Sequence, residues 1–249
     1  MTILSFIGAD GSLGLENYLR IWKSSVYGKI FSVTFTVAFL TTVIVILIGY
    51  PLAYFLSQLS RRAANLAMLG VLMPFWTAVL VRTYAWIVLL QSKGIINSTL
   101  INFGVIDEPL ALANNLTGTL IGMVHVMLPF LVLPLYSSMK AVDPDLMSAA
   151  SNLGATPTRA FWSIFFPLSL PGLLSGGLMV FVLCLGFYVT PAVLGGGRVI
   201  MVAMLIDANV RIYSSWGAAS SLGVVLILMT AILLLLANWI QRRSVGRFK

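Results

Sequence analysis

The stretch SAASNLGATPTRAFWSIFFP, residues 148–167, separates two long apolar runs with Ser, Asn, Gly, Thr and Arg. Just ahead of it, Asp143 and Pro144 form a helix start, because a carboxylate oxygen caps free N–H groups and the proline ring presets the first turn. Asp145 then falls in the first turn, where the helix dipole favours an anion. Leu146, Ala149, Ala150 and Leu153 follow at helical spacing, and Gly154 suits a left-handed stop. Thr156 and Pro157 repeat the start signal, and Ala160, Phe161, Ile164 and Phe165 give a second apolar face. Pro167 and Pro171 are expected to punctuate the exit into the next run. The reading is two short helices of about ten residues, joined at an angle around Gly154, each too short to cross a hydrocarbon core of ~30 Å. Their apolar faces need burial, against the membrane surface, the span ends or a partner. Ala149 and Ala150 favour a partner, since small side chains let a backbone approach closely, whereas an interfacial helix carries bulkier apolar and more basic residues.

The rest of the chain is far more apolar. Of its 249 residues, 59% are hydrophobic and 9% charged, against roughly 25% charged in soluble domains, and the mean hydropathy is +1.01. The apolar residues fall in long runs rather than alternating segments, which predicts an all-α integral membrane protein and not a barrel. The net charge of +8 sits in loops and at the tail, so it orients the chain in a bilayer and does not indicate nucleic-acid binding. Cys184 stands alone in an apolar run, which rules out a disulfide framework or a thiolate metal site within the chain. His125 is the single histidine and reads as a packed or interhelical hydrogen-bonding residue. No catalytic constellation, metal-ligand set or GxxxxGK[ST] loop is found, so any energy source lies outside this chain.

About five spans are expected, near 31–57, 66–91, 117–139, 171–195 and 216–240, within a transmembrane domain over 31–240. An external or interfacial segment, 1–30, precedes it, where LENYLRIWKSSVYGKIF mixes aromatic, aliphatic and basic residues. A basic tail, 241–249, follows. Placing Arg61 and Arg62 inside also places the loop 140–170 and the tail inside. That face then holds Lys140, Arg159, Arg242, Arg243, Arg247 and Lys249 against Asp143 and Asp145. The other face offsets Arg20, Lys23, Lys29, Lys93, Arg198 and Arg211 with Asp10, Glu16, Asp107, Glu108 and Asp207. Arg20, Lys23 and Lys29 resist this orientation, since they precede the first span closely on the outer side.

The order Ala149-Ala150, Gly154, Ile164, Phe166, Pro167 resembles the "EAA" loop of type I ABC importer permeases. GYPLAYFLSQ, PFWTAVLVRTYAWIVLL, LPFLVLPLYSSM and YVTPAVLGGG are similar to its spermidine/putrescine-type branch, in the same order from about residue 15 to 240. The resemblance implies a permease core whose cytoplasmic loop is a coupling helix seated in a groove of an ATPase subunit. Its interface would be Ser148, Ala149, Ala150, Leu153, Gly154, Ala155, Ile164 and Pro167. The implied assembly has a second permease subunit, an ATPase dimer that binds ATP and Mg, and an external solute-binding protein, in a bacterial inner membrane. This chain would be a multi-pass transport subunit with no cofactor and no catalysis of its own. Two departures stand out: Ser148 replaces the acidic residue that usually opens the motif, leaving docking to shape. The family also commonly has a span before LENYL, so the resemblance implies either a truncated or reassigned start or a true five-span subunit.

Polar residues within spans are the intrinsic candidates for a translocation path, because they are costly unless partnered or hydrated. These are Arg82, Tyr84, Trp86, Tyr188 and Thr190, with Arg82 also readable as a structural pair or as snorkelling outward. Pro74, Pro129, Pro134 and Pro191 are expected to bend or break helices. Gly195–Gly197 read as an external turn, and VIMVAMLIDANVRIY as a short external helix. No Asp or Glu lies in any expected span, so a polyamine substrate rests on the family likeness; other small amines, opine-like compounds and aminophosphonates are the alternatives. An ion-coupled secondary transporter would need intramembrane ionisable residues and inverted repeats, and neither is visible.

Overall fold

A computed structural model describes residues 2–7 and 12–245, with side chains to residue 236. The basic-tail residues Arg247 and Lys249, the side chains of Arg242 and Arg243, and Asp10 lie outside that description. The helices are α1 (Glu16–Lys23), α2 (Ser25–Gln58), α3 (Arg61–Leu72), α4 (Val79–Leu90), α5 (Ile95–Asn102) and α6 (Leu116–Lys140). They are followed by α7 (Pro144–Asn152), α8 (Pro157–Ala160), α9 (Phe166–Leu185), α10 (Val189–Leu194), α11 (Val202–Arg211) and α12 (Trp216–Val245). Among the described residues there is no strand. Five helical stretches are long and apolar enough to cross a membrane: Ser25–Gln58, Val79–Asn102, Leu116–Lys140, Pro157–Leu185 and Trp216–Leu236.

The chain divides into two compact units. In the first, the start of α2 packs with α11 and α12 around Tyr27, Ile30, Phe31, Val202 and Leu222. Thr34 Oγ1 donates to Ile30 O within its own helix and accepts the Val202 N–H at 2.9 Å, satisfying a free donor at the start of α11. α1 is held by Asn17, whose Nδ2 donates to Ile7 O, and by Tyr18, whose hydroxyl donates to Ser5 Oγ. Leu15, Leu19 and Trp22, spaced three or four apart along this segment, are exposed.

The second unit is built around α6, on which Met123, Leu131, Val132 and Leu135 have no exposed surface. Asn115 caps this helix by accepting the Gly118 N–H at 3.0 Å. Gly172 and Gly176, a small-xxx-small pair on α9, let that helix lie against α6. A Cβ on Gly176 would sit 3.0 Å from Leu131 Cδ1, 3.1 Å from Pro134 Cγ and 3.2 Å from Leu131 O. Gly176→Leu is therefore expected to destabilise the unit by about 3 kcal/mol or more through overpacking. A lowered melting temperature in detergent would register it; Gly70→Ala, which meets open space on α3, should leave that temperature unchanged or slightly raised.

Several expectations differ from the structure, among them the run 171–195, which is the end of α9, a break and α10. The second loop helix is no separate element: α8, a π turn at Phe161–Phe165 and α9 form one continuous 29-residue helix. The π turn is why Pro167 does not break it. Phe166 gives its N–H to Phe161 O, and the position that would next have to donate is the proline, which has no N–H to lose. Pro51, Pro129, Pro134 and Pro171 likewise lie inside continuous helices. The run 66–91 is not one unbroken helix but α3, a 3₁₀ turn at Met73–Trp76 and α4, because Pro74 ends the α-helical hydrogen bonding. Gly196 and Gly197 form the turn after α10 with φ of +55° and +75°. The short helix that follows is α11, where Asp207 pairs with Arg211 at 2.7 Å.

Candidate functional site

The coupling-loop residues assemble from local signals. Asp143 caps α7 by accepting the Asp145 N–H at 2.9 Å, with Pro144 in the first turn. At the other end Gly154 takes φ +81°. Its N–H bonds Ser151 O at 3.0 Å while the Ala155 N–H bonds Ala150 O at 3.0 Å, the paired closure of a Schellman motif. Thr156 then caps α8 by accepting the Arg159 N–H. α7 folds back on α8 and the π turn.

This fold-back sorts the candidate interface residues. Ala150 and Ala160 are buried inside the loop, and Ile164 and Ala155 are half-buried. Ser148, Ala149, Gly154 and Pro167 are exposed, and Leu153 is 89% exposed, joined by Leu146 on α7. Leu146, Ala149 and Leu153 thus form an exposed apolar patch among polar neighbours, with no charge at the motif's first position. The Ser148 hydroxyl is directed to Pro144 O of its own helix at 3.3 Å.

Beneath the loop lies an aromatic clamp that the sequence reading did not single out. Tyr54 of α2 meets the edges of Phe161 and Phe165 at 5.4 and 5.2 Å between centroids, both at 84°. Tyr50, one turn earlier, contacts Phe161 and Phe166. Its hydroxyl lies 3.0 Å from Ser169 Oγ, whose own hydrogen goes to Phe166 O, so Tyr50 is the donor. The i, i+4 spacing of Tyr50 with Tyr54 and of Phe161 with Phe165 was the available signal. Lys140 Nζ donates to Ser57 O at 3.1 Å, joining the ends of α6 and α2 beside the loop.

Of the candidate path residues, Arg82, Tyr84 and Trp86 lie on α4, Thr190 lies on α10, which packs on α4, and Tyr188 immediately precedes α10. Trp86 donates its indole N–H to His125 Nδ1 at 3.1 Å, linking α4 to α6. Thr190 on α10 is fully buried, its Oγ1 without a partner among the described residues. Tyr84 and Tyr188 are exposed. Arg82 donates through Nη1 to Pro74 O at 2.7 Å, reaching back toward the break between α3 and α4. Among the described residues no group of His, Cys, Asp and Glu could hold a metal ion.

A family model described as binding-protein-dependent transport system inner membrane component matches residues 24–249. The spermidine/putrescine transport system permease protein PotB of Haemophilus influenzae is 32% identical, over 97% of this chain and 87% of its own length. That of Escherichia coli K12 is 32% identical over 94% and 84%. A putative 2-aminoethylphosphonate transport system permease, PhnU of Salmonella typhimurium LT2, is 24% identical over 90% and 78%. In fold, the chain is similar to a chain of a bacterial alginate ABC transporter crystallised with an alginate-bound periplasmic protein. The TM-score is 0.77 at 14% identity, covering 93% of this chain and 84% of that one.

Proposed function

The chain belongs to the family of binding-protein-dependent transport system inner membrane components, and from that premise we propose that it is one of two permease subunits of an ATP-driven polyamine importer. The single observation that carries the substrate is its 32% identity, over nearly the whole chain, to permeases of spermidine/putrescine systems. The 24% relative from a 2-aminoethylphosphonate system supplies the second reading, an aminophosphonate.

The loop Asp143–Pro167 docks on a cytoplasmic ATPase through Leu146, Ala149 and Leu153, and the ATPase binds the ATP and Mg. Closure of the ATPase pair pushes on α7, and the clamp passes that displacement to α2 while the unbroken helix passes it to α9. Coupling of this kind needs an element with two arrangements that nucleotide and solute both bias. The basic loops place the ends near Ser57, Arg61 and Lys140 inside. One crossing runs from Arg61 through the 3₁₀ turn to Leu90. The apolar stretch Val79–Asn102 is the poorer choice, since it is interrupted by extended backbone at Gln91 and Gly94 around Lys93.

Proteoliposomes holding this chain, the second permease and the ATPase, supplied with the binding protein, test the reading. Uptake of labelled putrescine or spermidine with stimulated ATP hydrolysis is expected. Uptake of 2-aminoethylphosphonate alone selects the second reading, and full uptake by this chain without an ATPase refutes both.

A further inference from the structure

In the crossing proposed above, from Arg61 to Leu90, the break between α3 and α4 lies deep in the membrane. Each helix has 12 residues, about 18 Å at the α-helical rise, so Met73–Ala78 falls near the middle of a ~30 Å core. This irregular segment faces outward: Trp76 is 87% exposed, and Thr77 and Ala78 are exposed as well. The start of α4 has no side-chain cap. Non-helical backbone at this depth does not face lipid; it is covered by protein or by a water-filled cavity.

Arg82 stands one turn into α4. Its Nη1 donates to Pro74 O, which also accepts the Thr77 hydroxyl at 3.0 Å, filling both acceptor positions of that carbonyl. Its Nε is buried and without a partner among the described residues. A guanidinium at membrane depth costs about 2.5–3.5 kcal/mol even on insertion scales and is found paired. This chain has no Asp or Glu in any span to pair it with. A lipid phosphate does not meet the need, because the side chain reaches back toward Pro74, toward mid-depth and away from the outer headgroups. A polyamine is a cation and is repelled. The partner that fits a planar fork of N–H donors is a carboxylate.

We infer that a membrane helix of the second permease subunit covers the α3–α4 break and presents an Asp or Glu carboxylate to Arg82. This rests on the two-permease reading above. The charged pair would fix the register of the two subunits along the path, where a like charge would oppose assembly.

The test co-expresses the full tagged chain with the second permease subunit and measures how much of that subunit is recovered. Arg82→Glu is expected to lower recovery at least tenfold. Each Asp and Glu in the spans of the second subunit is then replaced singly by Arg. One such replacement should restore recovery with Arg82→Glu to within about twofold of wild type, which also shows that the variant folds. Undiminished recovery with Arg82→Glu, or restoration by none of the replacements, overturns the inference. So does Arg82→Gln that assembles fully yet loses uptake, the result expected if Arg82 holds an anionic solute. If the wild-type chain recovers no second permease at all, the two-permease reading falls first.

Discussion

Gly154→Pro is expected to abolish solute-stimulated ATP hydrolysis and uptake while the chain still inserts in the membrane. The reason is torsional. Gly154 holds φ at +81°, and the proline ring locks φ near −65°. The substitution also removes the N–H that bonds Ser151 O, so α7 cannot close and its exposed face turns away from the proposed ATPase groove. Gly154→Ala separates the two causes. A Cβ there meets nothing within 4 Å and the N–H is kept, so the cost is that of one left-handed residue, about 1–2 kcal/mol. Partial coupling is therefore expected for alanine and none for proline. Co-purification of the ATPase with each variant, alongside stimulated hydrolysis, reads the difference. Wild-type coupling in the proline variant would remove the docking role from this loop.

The second large effect is expected at the clamp. Tyr54→Ala removes two edge-on aromatic contacts, each worth about 0.5–1.5 kcal/mol beyond its burial. That total is comparable to the ~1–3 kcal/mol by which coupled sites ordinarily influence one another. Basal ATP hydrolysis should persist, because the docking surface on α7 is untouched, whereas stimulation by solute and binding protein should fall about tenfold. Tyr54→Phe keeps both ring contacts and is expected to behave as wild type. Equal stimulation in the alanine variant would show that force reaches the spans by α9 alone.

What was legible in the sequence was local. Asp143, Pro144, Gly154 and Thr156 each act on backbone groups within a few residues, so the loop's caps and turn could be read from spacing. The lone His125 was also read soundly, as an interhelical hydrogen-bonding residue; its partner Trp86 could not be named, because nothing in sequence joins α4 to α6. Long-range contacts stayed hidden for the same reason, and the Tyr50–Ser169 pair is 119 residues apart. Prolines were read too strongly. Pro51, Pro129, Pro134 and Pro171 stay inside continuous helices despite their missing N–H groups, and the π turn redistributes the donors before Pro167. Hydropathy averaging erred the other way, smoothing over Met73–Ala78 because Met, Pro, Phe and Trp are all apolar.

The π turn at Phe161–Phe165 also sets an angle. A residue of α-helix advances the chain by ~100° about the axis, and a π turn stores one residue beyond the α-helical count. The azimuth at which the docking face leaves the 29-residue rod is therefore fixed by one surplus residue of chain. Without that residue the loop would point about a quarter-turn away from the ATPase proposed above.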